Sequence, residues 1–269
     1  MEPLHAFLLG VVEGFTEFLP VSSTGHLILV THLLGLSGDA VKTFEVVIQA
    51  GALGAVVALY HARLATIWRG LLGRDATGRR LFVNLLLSFL PAAVVGVLLH
   101  RTIKAHLFTI GPVAVALAAG GVLMLGVDLW SRRAHRGPAR AIESMTPRAA
   151  LLIGLAQCLA LWPGTSRAMA TIVAGLLLGF PATVAAEYSF LLALPTLGAA
   201  TLFDAALGGR ALLQETGILS VASGFLGAAG VAALAIRGFI QYLTQRGLAP
   251  FGWYRLALAL VVWWTLSGA

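Results

Sequence analysis

The chain alternates long apolar runs with short polar loops, and the length of each run predicts how it folds. A helix that crosses a bilayer needs roughly 20 mostly apolar residues. Six runs meet that length, at about 43–61, 82–100, 108–130, 183–205, 217–237 and 250–267. Two more stretches, about 4–35 and 147–180, are apolar but are broken near the middle by "LPVSSTGH" and "WPGTSRA". Proline removes a backbone donor and interrupts a helix, so each half is too short to cross alone. The pattern predicts two re-entrant helical hairpins, whose irregular turns must be surrounded by protein or a wet cavity. The expected fold class is an all-α polytopic membrane protein, one integral domain over 1–269 with six transmembrane helices and two re-entrant hairpins.

The two halves follow one plan, a broken hairpin and then three spans. Pro20 lies over Pro163, so that "FLPVSS" matches "LWPGTS", and Glu45 and Glu187 follow at nearly the same offset. Further on, "SFLPAAVVGVLL" (88–99) resembles "GFLGAAGVAALA" (224–235). An internal repeat of about 4–130 and 147–267 is expected. With three crossings per half the second copy is inverted, as in many transporters.

Composition supports the membrane reading. Only 11% of the 269 residues are charged and 59% are hydrophobic, whereas a soluble domain is about a quarter charged. The net charge of +7 does not point to nucleic acid, because the basic residues gather in loops. The 61–81, 131–148 and 237–249 loops hold 12 of the 18 Lys and Arg residues, and the opposite loops hold only Lys42, Arg101, Lys104 and Arg210. By the positive-inside rule the first set is cytoplasmic, and both termini face outward in the cell (inner) membrane. Cys158 is the only cysteine, which excludes an internal disulfide. "MEPLHAFLLG" carries no basic region or small-residue cleavage site, so no removable signal peptide is expected.

The polar residues of the two tips carry the chemistry. Glu13 and Glu17 are four apart and share one helical face. Two neighbouring carboxylates at that depth need a cation or proton between them, and oxygen ligands of this kind suit Mg²⁺ or Ca²⁺. The turn Pro20 to His26 begins a second short helix, with Ser22, Ser23 and Thr24 as candidate caps. Such an N-terminus is an anion site. His26 is placed to transfer protons or to attack phosphorus, whereas His5, His32, His61, His100, His106 and His135 read as structural. The second tip repeats the device with Gly164, Thr165 and Ser166, followed by Arg167. The planar fork of Arg167 suits phosphate, and pairing with Glu13 or Glu17 is its alternative. A phosphate or pyrophosphate held at this depth implies a lipid-linked substrate, with the site opening outward.

At these residues the chain resembles the undecaprenyl-pyrophosphate phosphatases of the bacitracin-resistance family. "EGFTEFLPVSSTGH" (13–26) matches the family's first motif, and "PGTSRAMAT" (163–171) is similar to its PGxSRSxxT pattern, with Ala168 in place of the second serine. "KTFEVVIQ" (42–49), "QCLALWPG" (157–164) and "EYSFLLALP" (187–195) extend the likeness along nearly the whole chain. The resemblance implies hydrolysis of undecaprenyl pyrophosphate to the monophosphate and phosphate, recycling the cell-wall lipid carrier, with a divalent cation. It implies Glu13 and Glu17 as the acidic pair, Ser23 and His26 as catalytic, and Ser166, Arg167 and Thr171 as phosphate-binding. Whether Ser23 activated by His26, His26 itself or water attacks stays open. The expected partners are the polyprenyl pyrophosphate, membrane lipid and, in a homodimer, a second copy. The main alternative is a secondary transporter or flippase of a lipid-linked or small anion. The acid-phosphatase superfamily is excluded, because "SRAMATIVAGLL" (166–177) lacks the histidine its last box requires.

Overall fold

A computed structural model describes residues 1–107, 109–134 and 140–267; His135 lies outside them. Eleven α-helices and no strand are found among the described residues. In chain order they are α1 (Pro3–Thr16), α2 (Ser23–Leu33), α3 (Asp39–Leu59), α4 (His61–Leu71), α5 (Ala76–His106), α6 (Ile110–Ala134), α7 (Pro147–Gln157), α8 (Arg167–Leu177), α9 (Ala182–Thr216), α10 (Ile218–Gln245) and α11 (Ala249–Ser267). Five of them, α3, α5, α6, α9 and α10, are long and apolar enough to cross a membrane. The protein is therefore an all-α, multi-pass membrane protein. The sixth expected span, 250–267, forms the 19-residue α11 but is not among the five, because Arg255 and its tryptophan and tyrosine residues dilute the apolar run.

Each interrupted stretch folds as two short helices, and the two pairs are built alike. Their second arms, α2 and α8, are 11 residues each. Each is capped by a serine at positive φ, Ser22 at 72° and Ser166 at 73°. Such a backbone is uncommon for a residue with a Cβ, and the cap hydrogen bond compensates it. The Ser22 hydroxyl accepts from the Gly25 amide and the Ser166 hydroxyl from the Met169 amide. Each arm also ends the same way, at left-handed Gly35 and Gly179. There the Leu36 amide closes onto the Thr31 carbonyl, and the Phe180 amide onto the Gly175 carbonyl. The sequence match of Pro20 with Pro163 is thus off by one residue, because the second tip inserts one more residue between its proline and the capping serine.

The first arms are held by small residues. α1 packs along α10 and α7 along α5. A Cβ on Gly10 would collide with the carbonyl of Gly224, and one on Gly154 would meet the Ser88 backbone. Lipid is as apolar as the helices, so close van der Waals contact, not exclusion of water, drives this association. α3 packs on α9 and α6 on α11, completing a bundle around the two tips. The main core cluster joins Phe18 and Val21 of the first tip, Ala168 and Ile172 of the second, and Phe190 and Phe239 from α9 and α10.

The stretch 61–81, expected as a loop, contains α4. Its Arg63 pairs with Glu187 at 2.8 Å and with Glu143, fastening α4 to the start of α9. Glu187 is thereby an ion-pair partner, whatever its match to Glu45 in the sequence.

The Gly10 contact predicts the outcome of filling it. Gly10→Leu forces α1 off α10, and overpacking typically costs about 1–3 kcal/mol. The melting temperature in detergent, read by tryptophan fluorescence, drops by several degrees. Gly54→Ala, where a Cβ meets open space, leaves it within about a degree or raises it.

Candidate active site

The two tips meet, and their charged residues form one buried cluster. Glu17 follows the last turn of α1, Ser23 is the first residue of α2, and Arg167 is the first residue of α8. Glu17 is 6% exposed, and Ser23 and Arg167 are 8% exposed. One carboxylate oxygen of Glu17 accepts from the Ser23 hydroxyl at 2.6 Å, and the other accepts from Arg167 Nη2 at 3.1 Å. The pairing weighed as an alternative for Arg167 is the one present, and it selects Glu17 over Glu13. A serine hydroxyl this close to a buried carboxylate has a base for its proton.

Arg167 is fixed from several sides. Its Nη1 donates to the backbone carbonyl of Ser189 at 2.8 Å and to the Ser189 hydroxyl at 3.2 Å. The Thr171 hydroxyl reaches the same Ser189 hydroxyl at 2.7 Å. Beneath the fork, Phe18 presents its ring face 5.7 Å from the guanidinium carbon, a favourable place for a cation. Nε of Arg167 is buried with no hydrogen-bond partner, so one donor is left for a ligand.

Glu13 completes the cluster. It is fully buried, and neither carboxylate oxygen has a hydrogen-bond partner. A bare buried carboxylate is costly unless something electropositive joins it, so this position fits a hard cation with oxygen ligands. No group of three His, Cys, Asp or Glu side chains suited to a metal occurs among the described residues. Glu13 and Glu17 would therefore share such an ion with oxygens from water or substrate.

The remaining predicted residues divide into two kinds. Ser22 and Ser166 are caps, their hydroxyls occupied by helix amides, and Thr24 lies in the first turn of α2. Thr171 braces Arg167 through the Arg167 carbonyl and Ser189. Gly164 has φ of 94°, and a Cβ there would run into the carbonyl of Val113, so this turn admits only glycine without strain. His26 has a polar partner at each ring nitrogen: its Nδ1 lies 2.7 Å from the Ser22 carbonyl, and its Nε2 lies 2.7 Å from the Tyr254 hydroxyl. The hydrogen bond of the Ser23 hydroxyl goes to Glu17. Ala168, where the family pattern has serine, is fully buried in the apolar core.

Three residues escaped the sequence reading. Ser189 carried no signal, being one serine in the apolar run of α9. Tyr254 carried none either, being one aromatic in the apolar run of α11. Arg255 was a charge inside an apolar run, which is itself the signal that finds it. It is fully buried and donates to four backbone carbonyls, those of Ala116, Leu117, Pro20 and Gly164. Pro20 and Gly164 belong to the two tips, so one guanidinium ties both to α6 and α11.

Comparison with known proteins bears on this site. The family model for bacitracin resistance protein BacA matches residues 6–261. A protein named undecaprenyl-diphosphatase from Sorangium cellulosum is 55% identical over 260 residues, covering 96% of this chain and 85% of that one. Proteins of the same name from Nitrosomonas europaea and Nitratidesulfovibrio vulgaris are 48% and 47% identical. They cover 96% and 98% of this chain, and 93% and 98% of their own lengths. The chain belongs to the bacitracin resistance protein BacA family.

Proposed function

We infer that this protein is a membrane phosphatase that hydrolyses undecaprenyl pyrophosphate to undecaprenyl phosphate and inorganic phosphate, recycling the cell-wall lipid carrier. The observation that carries the reading is the buried contact of Ser23 with Glu17, beside the Arg167 fork and at the starts of α2 and α8. The bilayer explains the rest: the prenyl tail stays in lipid while the pyrophosphate reaches the tips.

The chemistry proceeds in two steps. Ser23 Oγ attacks the terminal phosphorus as Glu17 takes its proton. The Oγ–P bond forms and the bond to the bridging oxygen breaks, releasing undecaprenyl phosphate. Water then attacks the phosphoserine with His26 as the base for its proton, and the P–Oγ bond breaks as Glu17 returns its proton to Oγ, which releases inorganic phosphate and restores the Ser23 hydroxyl. Arg167 turns part of its fork from Glu17 to the phosphate, a bidentate match that a lysine cannot make. The first amides of α2 and α8, which lack intrahelical acceptors, add donors for the developing charge. Glu13 and Glu17 would hold a Mg²⁺ or Ca²⁺ ion, which supplies charge neutralisation to the pyrophosphate oxygens.

The finer architecture follows the same reading. The two broken stretches are re-entrant hairpins, α11 is the sixth crossing, and the halves are an inverted repeat. The matched serine caps and glycine ends support this, as does the reciprocal packing of α1 on α10 and α7 on α5. Both termini and the mouth of the site face the outer side of the cell (inner) membrane, a reading supported by the Lys/Arg bias of the loops. A homodimer would be formed through lipid-facing helices.

Broken helices in an inverted repeat also suit a transporter or flippase. Phosphate release by purified protein in detergent supports the enzyme; counterflow in liposomes without release supports the transporter.

Three outcomes are expected. Arg167→Lys lowers turnover by about 10²–10³-fold, and near wild-type turnover would remove the phosphate-clamp role. Acid-quenched enzyme mixed with labelled substrate carries phosphate on Ser23 by peptide mapping, and Ser23→Ala carries none; label on His26 would reassign the nucleophile, and label on neither residue would favour direct attack by water. Chelation with EDTA abolishes phosphate release, and Mg²⁺ or Ca²⁺ restores it in the wild type but not in Glu13→Gln.

A further inference from the structure

His26 is held by two partners, and their chemistry fixes where its proton sits. A backbone carbonyl can only accept, so the 2.7 Å contact with Ser22 makes Nδ1 the protonated nitrogen. In the neutral ring Nε2 is then bare and accepts, so the Tyr254 hydroxyl donates to it across 2.7 Å. The two rings are stacked, with planes 5° apart and centroids 5.6 Å apart. Tyr254 sits next to Arg255, whose grip on Pro20 and Gly164 ties this turn of α11 to both tips. The phenol is thus fixed by the same anchor that fixes the site. The residue is 47% exposed.

We propose that Tyr254 is a positioning residue for the reaction, whose hydroxyl, together with the Ser22 carbonyl on Nδ1–H, holds the His26 ring with Nε2 bare and directed to where the hydrolytic water enters. This rests on the phosphatase reading for its catalytic consequence, but the tautomer assignment stands independently of it. Nε2 is the basic nitrogen, and the Tyr254 hydroxyl marks the direction from which a proton donor reaches it. During the second step water takes that place, gives a proton to Nε2 and attacks the phosphoserine. Without the phenol, Ser22 still holds Nδ1–H, but Nε2 loses its donor and the ring is steered from one side only.

The test uses full-length protein in detergent micelles with ¹⁵N-labelled histidine, the His26 signal being assigned by its loss in His26→Gln. Wild-type protein gives an unprotonated Nε2 and a protonated Nδ1. Tyr254→Phe keeps the ring and its stacking, keeps Nδ1 protonated through Ser22, moves the Nε2 signal toward that of an unprotonated nitrogen with no donor, and lowers kcat by about three- to tenfold. Its KM stays within about twofold and its melting temperature is unchanged. A merely structural role would move the melting temperature and leave kcat alone. A wild-type spectrum with Nε2 protonated overturns the proposal, as does a Tyr254→Phe enzyme with the wild-type Nε2 signal and kcat. Absence of phosphate release by the wild type would instead overturn the phosphatase reading while the tautomer remained measurable.

Discussion

A guanidinium and a carboxylate buried in a membrane protein must find each other or another partner, and the contact of Arg167 with Glu17 satisfies that demand. The two residues lie 150 positions apart and on different tips, so the ion pair requires the tips to meet. Breaking a buried pair by removing one member typically costs about 3–5 kcal/mol. The pair therefore acts as a positional lock, and the groups around it follow from it. Ser189 accepts from Nη1 of the fork, Thr171 donates to Ser189 and to the Arg167 carbonyl, Phe18 supports the face of the fork, and Ser23 shares the carboxylate.

The rest of the bundle accommodates the irregular backbone of the two tips. Two interrupted helices leave carbonyls at Pro20 and Gly164 with no place in a helical ladder, and Arg255 takes up both. An arginine that donates only to carbonyls has no acidic partner to lose when a substrate arrives, so this support is independent of ligand. Small residues do the complementary work on the outer sides of the hairpins. Gly10 against Gly224 and Gly154 against Ser88 bring backbones into contact, and the same sequence offset separates Gly10 from Gly154 as Ser22 from Ser166.

Charge is distributed unevenly in the assembled site. Glu17 is doubly engaged, whereas Nε of Arg167 and both carboxylate oxygens of Glu13 are buried without a hydrogen-bond partner. A cluster that leaves both a bare carboxylate and a free guanidinium N–H is prepared for a ligand carrying both signs, such as a cation bound to a phosphate. That asymmetry explains why two glutamates four residues apart serve different purposes.

Much of this was legible in the chain. The apolar runs placed the long helices, prolines at 20 and 163 marked both interruptions, and Glu13, Glu17, Ser23, His26 and Arg167 stood out as polar groups in apolar surroundings. These are local facts, set by bilayer thickness and the cost of burying charge. Tertiary structure decided what no spacing encodes: that Arg167 takes Glu17 and leaves Glu13 bare, that the Ser23 hydroxyl donates to Glu17, and that Ser189, Tyr254 and Arg255 bond to residues of the two tips. It also moved the register between the tips by one residue and turned the 61–81 loop into α4. The reason is physical: a sequence shows which groups need partners, but partner choice depends on distances between helices that only packing fixes.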